Sequence, residues 1–136
     1  MLNNTNFLIG WTEESARKIL NKVLSENNIE SFCELGSFLG TSAKVILDNR
    51  VNTNMKLYCV DTWDRDWIER NYEKEITEWV RDYIGERDLY ETFLDNLKEY
   101  EHRFVAIKDT TLKAVQNLCA RGINIDAFYV DADHEY

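Results

Sequence analysis

A glutamate and two glycines stand where a strand would meet a helix, in Glu34-Leu35-Gly36-Ser37-Phe38-Leu39-Gly40-Thr41-Ser42. Gly36 allows a sharp backbone turn and the close approach of a ligand that a Cβ would block. Gly40 and Ser42 put N–H groups and a hydroxyl at a helix start, where an anionic group is stabilised. The Glu34 carboxylate suits the ammonium of an amino-acid ligand. A plain tight turn would use the same glycines, but the strand-to-helix setting and Glu34 favour a binding loop. Asp61 ends the next apolar run. An acid about 20 residues beyond a glycine-rich turn accepts hydrogen bonds from ribose hydroxyls in nucleotide-binding sheets; the alternative for Asp61 is a helix N-cap. Trp63 either packs on an adenine face or joins the core. A third cluster, Asp131-Ala132-Asp133-His134-Glu135-Tyr136, gathers three acids and a histidine after an apolar strand. Its carboxylates suit Mg²⁺, a hard cation, and His134 suits general-base work near neutral pH. The alternative is an exposed polar chain end.

The elements that must position these groups follow from periodicity. Ala16, Ile19, Leu20, Val23 and Leu24 form one stripe of a helix from about Thr12 to Glu26, with Thr12 as its cap. Ser31 to Gly36 reads as a first strand, and a second helix opens at Gly40-Thr41-Ser42 with Ala43, Ile46 and Leu47 inward. Lys56 to Asp61 is a near-continuous apolar strand of the kind covered on both faces. Ile68, Tyr72, Ile76, Trp79, Val80 and Tyr83 predict one amphipathic helix ending at Gly85. Leu89, Tyr90, Phe93, Leu94, Leu97 and Tyr100 predict another. His102 to Lys108 is a third strand. Thr110 to Arg121 is a helix with Leu112, Val115, Leu118 and Cys119 inward, and Ile125 to Asp131 is a fourth strand. Strands separated by helices imply a parallel α/β sheet. Ligands then gather at the carboxyl ends of the strands, at Gly36 to Ser42, Asp61 to Asp66, Asp109 to Thr111 and Asp131 to Tyr136.

Composition narrows the partners. The 136 residues fit one domain, 1–136. A net charge of −9, with the basic residues interspersed among acids as in Glu69-Arg70-Asn71-Tyr72-Glu73-Lys74-Glu75, argues against a nucleic-acid partner. Nothing approaches the length of a membrane span. Met1 to Gly10 holds no Lys or Arg and only the short apolar patch Phe7-Leu8-Ile9, unlike a signal or transit peptide, which predicts the cytoplasm. Cys33, Cys59 and Cys119 form no CxxC pair and read as buried, reduced core thiols.

The three sites together resemble the class I S-adenosylmethionine-dependent methyltransferases, in particular the branch related to caffeoyl-CoA, catechol and macrolide-sugar O-methyltransferases and to cephalosporin-hydroxylase-type proteins. The likeness is carried by Glu34 to Ser42, by Val60-Asp61-Thr62-Trp63-Asp64 and by Tyr129 to Tyr136, in that order and spacing. It implies a Rossmann-like fold of about four mostly parallel strands flanked by helices, with a helical insertion at about 66–100. It implies that Glu34, Gly36, Ser37, Gly40 and Ser42 hold the methionine part of S-adenosyl-L-methionine, that Asp61 holds the ribose, and that the Asp109-Thr110 turn borders the adenine. It also implies Asp131 as a divalent-metal ligand and His134 as general base for methyl transfer to a small-molecule hydroxyl or amine. The family normally continues through further strands after the fourth. The expectation is therefore a C-terminally truncated, cofactor-binding fragment, whose edge strand with Phe128 and Val130 invites a second copy or a complementing chain. Two other readings compete. One is a non-catalytic interaction module on the same fold. The other is a nicotinamide-dependent oxidoreductase, which the missing G-x-G-x-x-G disfavours.

Overall fold

Apolar runs that can be covered on both faces become the strands. The computed structural model describes residues 14–51 and 53–131. Four strands there form one parallel sheet in the order β3-β2-β1-β4. β1 (Ser31–Leu35) and β2 (Lys56–Asp61) are central, flanked by β3 (Phe104–Lys108) and β4 (Ala127–Val130). Parallel neighbours need crossovers, and helices supply them. α1 (Glu14–Glu26) precedes β1, and α2 (Thr41–Asp48) joins β1 to β2. α3 (Arg65–Asn71), α4 (Lys74–Ile84), α5 (Leu89–Asn96) and a 3₁₀ turn (Lys98–Tyr100) lie between β2 and β3, and α6 (Thr111–Ala120) leads to β4. Winding runs outward from β1 through β2 to β3, then restarts on the other side of β1. That reversal places a topological switch point between β1 and β4. The result is the α/β, Rossmann-like architecture that the alternation of elements predicts.

The two faces of the sheet are covered unequally. On one, Phe32, Leu57, Cys59 and Phe104 pack with Leu20 and Leu24 of α1, Ile46 and Leu47 of α2, and Ile84, Phe93 and Leu97 from the helical segment. On the other, Cys33, Leu35 and Val60 lie under Ala114 and Leu118 of α6. α6 does not reach far enough to bury the outermost strand, so Phe128 and Val130 are 49% and 59% exposed.

Several expectations are corrected. The helix expected through Ile68 to Tyr83 is two helices. Tyr72 and Glu73 are extended between them, with ψ of 158° and 152°. The Asn71 side chain donates to the Trp67 carbonyl at 2.8 Å, and the Trp67 and Tyr72 rings meet edge to face, a local alternative to the next helical turn. Ile19, Leu112 and Cys119 are exposed rather than inward. α1 buries the narrower stripe Leu20 and Leu24, and α6 turns Ala114 and Leu118 inward. The thiols of Cys33, Cys59 and Cys119 are free, and only the first two are buried. The expected cap Thr12 and the residues 132–136, including His134, lie outside the described residues. No helix among the described residues is long and apolar enough to cross a membrane.

Candidate functional site

The carboxyl ends of all four strands are stitched into one rim by backbone hydrogen bonds. Gly36 N–H and Ser37 N–H donate to Val60 O at 2.8 and 3.2 Å, Asp109 N–H to Asp61 O at 3.0 Å, and Asp131 N–H to Leu35 O at 2.8 Å. The loops that the sequence singles out therefore converge: the glycine loop after β1, Asp61 after β2, the Asp109-Thr110 turn after β3 and Asp131 after β4. The stitch arises because parallel strands in register end side by side, Leu35 opposite both Val60 and Val130, and Asp61 opposite Lys108.

Within the glycine loop, Gly36 and Gly40 take φ of 97° and 91°, the left-handed region that glycine enters without steric cost. A Cβ on Gly40 would also come within 3.3 Å of Phe93 Cδ2 and Leu97 Cγ. Ser37, Thr41 and Ser42 are buried around the turn, and α2 begins directly after Gly40. Thr110 caps α6, its hydroxyl accepting from Lys113 N–H at 3.4 Å.

Glu34 lies beneath this loop, 0% exposed. Neither carboxyl oxygen has a hydrogen-bond partner of good geometry, and the Ser37 hydroxyl is likewise unsatisfied. Burial pushes the Glu34 carboxyl up to about 7. The nearby Ser37 and Ser42 hydroxyls pull it down by less, and the charges of Asp131 and Asp61 add to the rise. A buried acid in this state calls for a cation or a donor that the described residues do not supply.

Asp61 reaches back to the same loop. Its Oδ2 accepts from Phe38 N–H at 2.9 Å and its Oδ1 from Trp63 N–H at 2.8 Å. Burial raises its pKa, while the amides of Trp63, Phe38 and Thr62 oppose that rise. A carboxylate offers about four acceptor positions, so capacity remains for a hydroxyl. Trp63 follows the core alternative. It is 3% exposed, its ring packs on Tyr90 and Phe93, and its Nε1–H donates to Phe38 O at 2.7 Å. It has no open face for an adenine. Two further residues that sequence reasoning passed over hold the loop: Phe38 itself and Asn96 of α5, whose Nδ2 donates to Leu39 O at 2.9 Å. No local signal marks Asn96, because its partner lies 57 residues away.

The third cluster is only partly visible. Asp131 is exposed at the end of β4, and no group of three His, Cys, Asp or Glu among the described residues could hold a metal ion. Among the described residues, Asp131 has no companion ligands that would make a Mg²⁺ site. A cleft of about 210 Å³ lined by Asn28, Glu30, Thr53 and Met55 lies at the opposite, amino-terminal rim and has no part in the site.

A parallel sheet with this order, this loop and this acid after β2 defines a Rossmann-like α/β domain with its site at the switch point. A family model described as "Methyltransferase domain" matches residues 33–136, from β1 through every rim residue named above, and the chain belongs to that family. No curated protein matches the chain significantly.

Proposed function

We propose that this methyltransferase domain binds S-adenosyl-L-methionine at the rim of β1, β2 and β3 and serves methyl transfer to a small-molecule hydroxyl or amine in the cytoplasm. Glu34 is the observation that carries the reading: a wholly buried carboxyl without a hydrogen bond of good geometry, beneath a glycine turn. An amino-acid ammonium is a cation that would satisfy it. Gly36, Ser37, Gly40 and Ser42 would seat the rest of the methionine moiety, the start of α2 favouring its carboxylate. Asp61 would accept from the ribose, and the Asp109-Thr110 turn would border the adenine. The cofactor supplies a sulfonium methyl that is already electrophilic, so the protein's task is to align the acceptor and exclude water. His134 is the candidate base for the acceptor proton. Resemblance to the O-methyltransferase branch named above supports an oxygen acceptor over a nitrogen one.

Calorimetry of the chain with S-adenosylmethionine and S-adenosylhomocysteine tests this reading. Both should bind. Asp61→Ala should weaken both at least about 10-fold, the scale of losing a charge-assisted hydrogen bond of about 1.5–3 kcal/mol. A folded chain that takes neither ligand would refute the proposal and leave the interaction-module reading.

A further inference from the structure

We propose that Trp63 and Asn96 are positioning residues that hold the Gly36–Gly40 loop in its binding shape, so that α5 sets the loop's affinity for its ligand. The ligand part of this inference rests on the reading of the loop as a cofactor cradle.

The loop is held where it is strained. Phe38 and Trp63 are the two non-glycine residues with positive φ among the described residues, at 46° and 47°. Such a conformation is strained for a large side chain and persists only when its surroundings over-determine it. Here one carboxylate serves both, because Asp61 accepts the amides of Phe38 and Trp63. The indole N–H of Trp63 then closes the ring of contacts on Phe38 O. Two strained positions 25 residues apart are thereby tied to each other and to the acid that ends β2.

α5 reinforces this arrangement along its length. It wedges the Trp63 ring with Tyr90 and Phe93, at 4.9 and 4.7 Å between centroids. It binds Leu39 O through Asn96, and Phe93 with the following Leu97 packs so closely on Gly40 that an added Cβ would lie 3.3 Å from each. The carbonyls of residues 38 and 39 are thus both taken by side chains from the β2 exit and α5. A loop shaped before binding loses less conformational freedom when its ligand arrives.

Two substitutions separate positioning from simple packing. Trp63→Phe keeps an aromatic ring and removes the N–H donor, and Asn96→Ala removes the second donor from a helix end. Leu118→Ala on the opposite sheet face is the control for general destabilisation. Amide hydrogen exchange and calorimetry are read on each. In both loop variants, exchange at residues 38–42 should quicken about 10-fold with β1 and β2 unchanged. S-adenosylmethionine and S-adenosylhomocysteine should both weaken about 10-fold by the same factor, and saturating ligand should restore protection. Leu118→Ala should lower Tm and leave loop exchange and affinity alone. Wild-type loop exchange in both variants, or a loosened loop with unchanged affinity, would overturn the inference. If the wild-type chain takes no ligand while both variants loosen the loop, the positioning role stands and the cofactor reading fails. Should Trp63→Phe not fold, Asn96→Ala decides alone.

Discussion

Glu34 is where the chemistry of a single residue governs measurable behaviour. Its carboxyl is lifted from an ordinary 4.5 to about 7, by burial first. Between those values the folded chain keeps a proton that the unfolded chain has lost, so stability is full below about pH 4.5 and falls as pH rises to about 7. By linkage the loss is about 3 kcal/mol. Glu34→Gln should flatten this slope and be the more stable protein at pH 8, as read from urea midpoints at pH 4.5, 6 and 8. An unchanged slope would show that Glu34 is satisfied in some other way. The same residue makes a ligand prediction. An ammonium placed beside it favours the carboxylate, so cofactor binding near pH 7 should release protons. Calorimetry in two buffers of different ionisation enthalpy should detect that release in the wild type and not in Glu34→Gln. The thiols offer a simpler contrast. Cys33 is pushed up to about 11 by burial and by the Glu34 charge, and burial also raises Cys59. Exposed Cys119 should therefore react with a thiol reagent in the native protein while the other two wait for unfolding. Mass spectrometry should find a single rapid adduct.

At the scale of elements, α5 and the loop before α2 form one unit. Gly40 has two separate reasons to be glycine, its φ of 91° and the 3.3 Å approach of Phe93 and Leu97. Gly40→Ala should cost about 1–3 kcal/mol, visible as a lower thermal midpoint, and should weaken the ligand further by displacing the loop. A fully stable Gly40→Ala variant would show that α5 yields easily. β4 is attached to β1 by a different device. Asp126 Oδ2 accepts from the amides of Glu30 and Ser31 at 2.8 and 3.1 Å, and those bonds hold its pKa below the usual value. The elements themselves were largely readable. Lys56–Asp61 has the bounds that its apolar run indicates, because a strand covered on both faces declares itself by continuous hydrophobicity. The break after Asn71 was not readable, because Tyr72 fits the helical spacing on either side of it.

Across the whole molecule, the sheet is protected on one face and partly bare on the other. Phe128 and Val130 stand outside the cover of α6, and among the described residues β4 pairs only with β1. Exposed apolar side chains beside a strand edge favour association. Replacing both with serine should raise the concentration at which light scattering appears and should leave stability within about 0.5 kcal/mol. A large loss of stability would show that these side chains are buried in the protein as it exists in solution. The charge of −9 opposes non-specific association, so any self-association should strengthen with added salt.

Local pattern alone determined that helices alternate with strands, that the sheet is parallel, and that its carboxyl rim carries a glycine loop and three aspartates. Those properties arise from periodicity and turn chemistry within a few residues of each position. The tertiary structure decided what those residues touch. It turned Trp63 inward, brought the Asp61 carboxylate to the Phe38 amide, and set Asn96 on Leu39. It also sealed Glu34 away from water and left Ile19, Leu112 and Cys119 in it. Hydrophobicity shows which side chains are able to be buried. Which ones are buried depends on where distant segments pack, and contacts spanning 23 to 57 residues leave no trace in local spacing.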